Sequence, residues 1–230
     1  MKRKFIETEN YIKLVEAFAN LEQLDGDSPK IGLGYGKWGR GKTHILERAA
    51  ANHDVIILRA DQVWTKSSVL EILRRELEAE GRTTVEKFYS IVDHLTVHPH
   101  IIIIDEVDTI LRSDKIGILE IFRDIHDRAG NIIFFIGMEE SNSKFKKHEH
   151  YYSRITKFVK FSPPSKKDIE KFCELSDVKI EADVVDYFHQ RYANMRVIRV
   201  FINRLEDYCE INAIVTVNLQ TFKESGAENG

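Results

Sequence analysis

Apolar and polar residues follow two different periods along the first two thirds of this 230-residue chain. Short runs of consecutive apolar residues, typical of strands covered on both faces of a parallel sheet, alternate with stretches whose apolar positions recur at helical spacing. This alternation predicts an α/β fold, an open parallel sheet in a three-layer sandwich. The predicted strands are 31–33, 55–58, 101–104, 132–136 and 158–161, and the predicted helices are 10–24, 43–51, 67–80, 84–95 and 117–129.

The strand pattern stops at Pro163 and Pro164. Three helical stretches follow at 166–175, 182–192 and 195–211, the first behind a Ser165 that is suited to cap it. The chain is therefore predicted to divide into an α/β domain over 1–163 and a small helical lid over 164–223. The polar residues 224–230 are expected to form a disordered tail.

Composition narrows the class of protein. With 43% hydrophobic and 31% charged residues the chain should fold, and its apolar runs fall far short of the roughly 20 residues that a membrane helix needs. The polar residues 7–10 follow the basic start where an export signal would be apolar, so a cytoplasmic location is expected.

Cys173 and Cys209 are expected to be buried thiols. The formal net charge of −3 means that any nucleic-acid binding must come from a local basic group.

A glycine-rich loop carries the first chemical signal. Residues 36–43 match G-x-x-x-x-G-K-[ST], placed after a strand and at the start of a helix, as phosphate binding requires. Lys42 is the predicted ligand of the β- and γ-phosphates of ATP, and the Thr43 hydroxyl is a predicted ligand of Mg²⁺. The nucleotide-binding residues predicted here are Gly36, Lys37, Trp38, Gly39, Arg40, Gly41, Lys42, Thr43 and His44.

Two acids at the end of a buried strand make the second signal. Asp105 and Glu106 follow four isoleucines at the carboxyl edge of the predicted sheet, where ligands of open α/β folds bind. This segment resembles a Walker B motif. Asp105 would hold magnesium through water, and Glu106 would orient and deprotonate the attacking water. Asp108 continues the acidic cluster and is predicted to be structural.

The doubled acid and the helical lid together resemble the AAA+ superfamily of P-loop ATPases. The resemblance implies that Arg154 is an arginine finger, which reaches the ATP of a neighbouring subunit, unless it belongs to an ordinary basic loop. It also implies that Arg196, with Arg199 as its competitor, contacts the nucleotide from the lid. Met138 departs from the family, which usually has a polar residue there, so ATP hydrolysis could be slow.

Within AAA+, the whole length resembles the transposition regulators typified by the phage Mu B protein and the TnsC regulators. That resemblance implies a DNA recombination function in a mobile element. The protein would bind double-stranded DNA without sequence preference when loaded with ATP, assemble as a ring or helical filament, and direct a transposase to its target.

The same resemblance implies that DNA contacts lie after the second strand and on its neighbouring helices. Two predicted helix starts there offer cations and hydroxyls, which suit phosphate contacts. Ordinary helix caps and solvated faces explain the same residues equally well. The candidates are Lys66, Arg82, Thr84 and Lys87.

Three alternatives remain open. The first is a replication-type AAA+ ATPase, an initiator or helicase loader, although initiators usually append a DNA-reading winged-helix domain that we do not find after the lid. The second is a nucleotide-gated signalling switch without DNA. The third is a small-molecule kinase, for which the sequence offers no candidate substrate pocket.

Overall fold

The computed structural model describes residues 4–112, 115–192 and 194–229. By its internal contacts the chain divides into two compact units. The sheet unit comprises Lys13–Gly36 and Leu46–Lys160. The lid unit comprises the described residues of Met1–Ile12, Lys37–Ile45 and Phe161–Gly230, so most of the glycine-rich loop groups with the predicted lid.

One parallel sheet of five strands organises the sheet unit. The strand order is β2-β3-β4-β1-β5, which places the strand before the glycine-rich loop between β4 and β5. Because every pair is parallel, the carboxyl ends of the strands meet at one edge. The strands are β1 (Ile31–Tyr35), β2 (Val55–Arg59), β3 (Ile101–Asp105), β4 (Ile133–Gly137) and β5 (Ile155–Lys160).

Helices pack against this sheet because each places its apolar positions on one face. In α6, for example, Ile118, Phe122 and Ile125 are buried one turn apart. The αL conformation of Gly130 then ends that helix. The helices that lie in the sheet unit are α3 (Lys66–Glu76), α4 (Thr84–Val97), α5 (Asp108–Arg112), α6 (Gly117–Ala129), α7 (Ser141–Phe145) and α8 (Glu149–Tyr152).

The lid unit has its own apolar core, centred on buried residues such as Phe188, Ile202 and Phe222. Its free cysteines Cys173 and Cys209 are both buried, as expected. Helices α1 (Glu9–Glu22) and α2 (Lys42–Asn52) each have residues in both units. The remaining elements are α9 (Lys166–Cys173), β6 (Lys179–Ile180), α10 (Ala182–Arg191), α11 (Met195–Ile211), β7 (Thr216–Val217) and α12 (Leu219–Glu224).

The predicted α/β class with a parallel sheet and flanking helices is confirmed. Individual bounds differ: α3 ends at Glu76, before the positive φ of 51° at Glu78, and β5 begins at Ile155, three residues earlier than expected. The two-stranded sheet of β6 and β7 has strands too short for a periodic pattern to reveal. Among the described residues, no helix is long and apolar enough to cross a membrane.

The end of the chain differs from the expectation of a disordered tail. Ala227 is buried, and the Glu228 carboxylate accepts a hydrogen bond from the Tyr187 hydroxyl at 2.7 Å and another from Tyr192. Arg204 donates to the carbonyl of Ala227. Disorder was predicted from the polar composition of these residues. Their partners lie on other elements, Tyr187 on α10, Tyr192 at the end of α10 and Arg204 on α11, and a local sequence pattern does not reveal such contacts.

Candidate nucleotide site

The glycine-rich loop has the backbone conformation that its sequence predicts. Gly39 and Gly41 both have positive φ, 75° and 79°, in the region that residues with a side chain rarely adopt. Such turns direct successive N–H groups towards one side and form an anion-binding concavity. Helix α2 begins directly afterwards at Lys42, so its N-terminal N–H groups add to the same field.

The reactive side chains of the loop are accessible. The Lys42 ammonium donates to the carbonyl of Lys37 at 3.1 Å, which keeps the cation at the loop. Thr43 and His44 are exposed, and the Trp38 side chain is 64% exposed. Backbone N–H groups and an ammonium are the hydrogen-bond donors that phosphate requires, and a hydroxyl oxygen is a ligand that Mg²⁺ takes, so these residues fit the predicted roles.

The start of α11 packs on Gly39. The Met195 N–H donates to the carbonyl of Gly39 at 3.2 Å. A Cβ added to Gly39 would lie 2.3 Å from the side-chain amide of Asn194, so only glycine fits. Asn194 also caps α11 by accepting from the Arg196 N–H at 3.0 Å. The sequence pointed to this segment because of Arg196, but the residue that packs on the loop is Asn194.

The two lid arginines are distinguished by their surroundings. The Arg199 guanidinium lies 5.4 Å from the ring centroid of Phe172 on α9, which engages it within the lid. Arg196 is exposed in the first turn of α11, one residue after the Met195 contact with the loop. Arg196 is therefore the arginine next to the residue that contacts the loop, and its contact with a nucleotide stays a prediction.

Asp105 and Glu106 lie at the carboxyl edge of the sheet, as predicted. Asp105 is the last residue of β3 and is buried, whereas the Glu106 side chain is 59% exposed. Glu106 has a φ of 57°, a left-handed conformation that costs a residue with a side chain about 1–2 kcal/mol. The Glu106 N–H donates to Asp105 Oδ1 at 2.9 Å. Strain at this position is of the kind that clusters at functional sites.

Arg59 belongs to this acidic edge, although the sequence did not reveal it. It ends β2 and is paired in register with Asp105 on β3. Its guanidinium nitrogens lie 3.8 Å from Asp105 Oδ2 and 3.8 Å from Glu106 Oε1. The cation therefore lies beside both acids. Strand order, which the sequence did not determine, brings it there.

Asp108 and the atypical Met138 are joined in one network. Asp108 Oδ2 accepts the Met138 N–H at 2.5 Å, and Asp108 Oδ1 accepts the buried Ser141 hydroxyl at 2.6 Å. A Cβ at Gly137 would lie 2.2 Å from that hydroxyl, so the end of β4 needs a glycine. The buried carboxylate thus anchors the strand end through the backbone of Met138, which agrees with the structural role predicted for Asp108.

Arg154 lies between α8 and β5 with its guanidinium on an acid of α6. Its Nη1 donates to both carboxylate oxygens of Asp127, at 2.6 and 2.9 Å. The two side chains are 40% and 37% exposed, so this is a surface ion pair. Its partner is 27 residues away in the chain and was not identified from the sequence.

Of the predicted DNA contacts, Lys66 lies on α3 and Thr84 and Lys87 lie on α4, whereas Arg82 lies just before the α4 cap. Two of these cations are in ion pairs. Lys66 Nζ lies 3.2 Å from Glu120, and Lys87 Nζ lies 2.8 Å from Glu71. Hydrogen bonds from Arg74, Lys87 and Arg75 hold the pKa of Glu71 far below its usual range. Arg82 and Thr84 are exposed next to the Thr83 cap of α4.

A comparison with protein families identifies the class. The model of the AAA domain matches residues 25–145, which is more than half of the chain. The chain therefore belongs to the AAA family, as the two nucleotide motifs predicted. No curated protein matches the sequence.

Solved structures share the fold at low sequence identity. The ORC2 protein of Aeropyrum pernix, in its ADPNP-ADP complexes, has a TM-score of 0.70 at 17% identity, over 99% of this chain and 70% of that one. The ORC1 protein of Aeropyrum pernix in complex with DNA has a TM-score of 0.60 at 16% identity, over 97% of this chain and 66% of that one. Domain III of the replication initiation protein DnaA of Thermotoga maritima has a TM-score of 0.58 at 18% identity, over 96% of this chain and 92% of that one.

The names of these three structures bear on the expected resemblance to the transposition regulators. None of their names refers to transposition, and the expected membership in the transposition regulators is not confirmed. At these identities the likeness shows the shared fold.

Proposed function

We propose that this chain is a replication-type AAA+ ATPase that binds ATP with Mg²⁺, hydrolyses it, and engages duplex DNA in its ATP-bound, self-associated form. The observation that carries the proposal is the contact between Asn194 and Gly39. It joins the phosphate-binding loop to the helix that starts with Met195 and Arg196. A ligand held by that loop would therefore be sensed at the first turn of α11.

Each predicted residue has a role that its chemistry supports. The loop N–H groups and the Lys42 ammonium would bind the phosphates, and Arg196 would add a second cation from the lid. Thr43 and Asp105 would hold Mg²⁺, whose charge offsets that of the phosphates. The Glu106 carboxylate would accept the proton of the attacking water at Oε1 or Oε2. Arg59 beside it would hold that carboxylate in place.

Arg154 is proposed to act on the ATP of a second copy of this chain. A guanidinium supplied in trans stabilises the charge of the phosphoryl-transfer transition state and contributes roughly 10³ or more in rate. Hydrolysis would then depend on protein concentration. The proposal thus includes a homo-oligomer, with ATP as the signal for its assembly.

The DNA partner is supported by the fold shared with the DNA-bound ORC1 protein and by the exposed Arg82 and Thr84 at the start of α4. Lys66 would contribute once a phosphate displaces Glu120, since an exposed ion pair of this kind is worth only about 0–1 kcal/mol. Such contacts position a protein on DNA without reading its sequence.

Equilibrium binding tests the proposal. Calorimetry should show binding of ATP and ADP in the presence of Mg²⁺. Fluorescence anisotropy with a plain duplex should show tighter DNA binding with a non-hydrolysable ATP analogue than with ADP. If the chain binds neither nucleotide, the proposed ATPase activity is refuted. Equal DNA binding with the ATP analogue and with ADP would refute the proposed dependence of DNA binding on ATP.

Electron microscopy with Mg²⁺, the same analogue and duplex DNA tests the ATP-dependent assembly that the proposal shares with the transposition hypothesis. Rings or filaments on DNA agree with both hypotheses. Stimulation of a transposase by this chain would then favour the transposition regulators, and its absence would favour the replication type. Monomers that ignore DNA would contradict both hypotheses.

A further inference from the structure

Asn10 is a buried amide whose hydrogen bonds reach far along the chain. It is the second residue of α1 and is only 4% exposed. Its Nδ2 donates to the carbonyl of Ser162 at 2.9 Å, and its Oδ1 accepts the Ser162 N–H at 3.0 Å. The side chain thus pairs with both backbone groups of a residue 152 positions away, as a neighbouring strand would.

The second hydrogen of the same Nδ2 is directed at the phosphate-binding loop. Nδ2 lies 3.5 Å from the carbonyl oxygen of Arg40, between the two glycines of positive φ. An asparagine amide has two N–H donors, so these two carbonyls use both of them. Asn10 therefore bridges the loop and the segment that leads into α9.

Neighbouring contacts hold the start of α1 in this position. The Glu9 N–H donates to Asp168 Oδ1 at 3.1 Å, and the buried Asp168 also completes the capping box of α9 with Ser165. The Lys171 ammonium donates to the carbonyl of Glu7 at 2.9 Å. These attachments therefore fix the amide of Asn10 relative to α9 in the lid unit.

The direction of a carbonyl decides the direction of an N–H group. The carbonyl of residue i and the N–H of residue i+1 belong to one planar trans peptide and point in opposite directions. Holding the Arg40 carbonyl therefore orients the Gly41 N–H to the other side. In the same way the Met195 N–H, through the Gly39 carbonyl, orients the Arg40 N–H.

We infer that Asn10 is a positioning residue of the nucleotide site: it turns the Gly41 N–H towards the phosphates and links loop occupancy to Ser162 and α9. This inference rests on the proposed nucleotide binding and adds to it a residue outside both motifs. This role requires the amide of Asn10. A carboxylate of the same shape would accept the Ser162 N–H but would repel the carbonyl oxygens of Arg40 and Ser162.

The variants Asn10→Ala and Asn10→Asp test the inference, with Asn20→Ala as the matched control. Asn20 lies on the same helix but is exposed, and its amide donates to the Glu16 carbonyl within α1. Affinity for ADP is measured by calorimetry, KM and kcat for ATP by steady-state kinetics, and melting temperature without nucleotide by circular dichroism.

We expect both Asn10 variants to weaken ADP binding about tenfold or more and to raise KM while kcat stays within about twofold, as loss of a hydrogen bond to a charged-ligand site predicts. Hydrogen exchange of residues 36–44 should show less protection by ADP than in the parent. Asn20→Ala should match the parent in every measurement.

Three results separate the outcomes. Parental ADP affinity in folded variants, with only a lower melting temperature, would overturn the inference and leave Asn10 as a structural anchor. If Asn10→Ala does not fold, the isosteric Asn10→Asp decides by the same criterion. If the parent chain itself binds no ADP, the proposed function fails, and the inference falls with it.

Discussion

Arg154 and Asp127 form a surface ion pair in which a single nitrogen of the guanidinium, Nη1, donates to both oxygens of the carboxylate, at 2.6 and 2.9 Å. An arginine proposed to act on a neighbouring subunit is thus held by an acid of its own subunit. Since exposed pairs are worth only about 0–1 kcal/mol, a phosphate presented by a second copy can displace Asp127.

Arg154→Ala should therefore lower ATP turnover at high protein concentration by about 10³-fold, with ADP affinity unchanged, because the transition-state charge loses a cation supplied in trans. Steady-state ATPase assays across a range of protein concentration measure this. Arg75→Ala removes another exposed, ion-paired arginine and should have no effect. Equal losses in both variants would show that Arg154 has no special role.

Asp127→Asn should change the free energy of unfolding by less than about 1 kcal/mol, since the pair is exposed. It should also lower the protein concentration at which ATPase activity appears, because Arg154 is no longer held within its subunit. Denaturant titration and the concentration dependence of turnover check the two parts. An unchanged concentration dependence would mean that Asp127 does not restrain the arginine.

Lys42→Ala should abolish nucleotide binding, because the loop motif directs this ammonium at the β- and γ-phosphates. Calorimetric titration with ADP gives the affinity directly. Lys13→Ala, an exposed lysine on α1, serves as the control and should bind as the parent does. Undiminished affinity in Lys42→Ala would refute the assignment of the phosphate-binding loop.

Glu106 allows stability and catalysis to be separated. Glu106→Gln should trap ATP and strengthen assembly, because the amide cannot accept the proton of the attacking water. Glu106→Gly should likewise lose hydrolysis but raise the free energy of unfolding by about 1 kcal/mol, since glycine adopts the φ of 57° without strain.

Glu78→Gly is the matched control for that pair of variants. Glu78 is also a glutamate of positive φ, 51°, and is exposed. The substitution should stabilise the protein to a similar extent with ATPase activity intact. Parental hydrolysis in Glu106→Gln would show that Glu106 is not the base.

Charge reversal of Lys66 and Arg82 tests the DNA surface. The double variant to Glu should weaken ATP-dependent DNA binding and reduce the slope of log K against log salt by about 0.9 for each DNA phosphate that the protein no longer neutralises. Lys87 is left out, because its side chain is 17% exposed and paired with Glu71, so its reversal would also cost stability. Anisotropy across a salt series, with Lys13→Glu as the control, measures the effect; an unchanged slope would reject this surface.

The positions of candidate site residues could be predicted from the sequence where a local motif or a run of apolar residues marks them. The loop from Gly36 to Thr43 and the acids Asp105 and Glu106 were placed correctly at the ends of β1 and β3, because a motif and an apolar run determine them together. For the lid arginines the sequence offered two candidates without their surroundings. The structure shows that Arg199 lies over the Phe172 ring and that Arg196 follows the residue bonded to Gly39.

The sequence by itself determined the α/β alternation, the parallel sheet and the phosphate-binding loop, since hydrophobic period and glycine spacing act within a few residues. Only the tertiary structure decided that Arg59 lies beside Asp105, that Asn10 holds Arg40 and Ser162, and that Asp127 holds Arg154. Those contacts depend on strand order and on packing between segments 27 to 152 residues apart, which no local periodicity encodes.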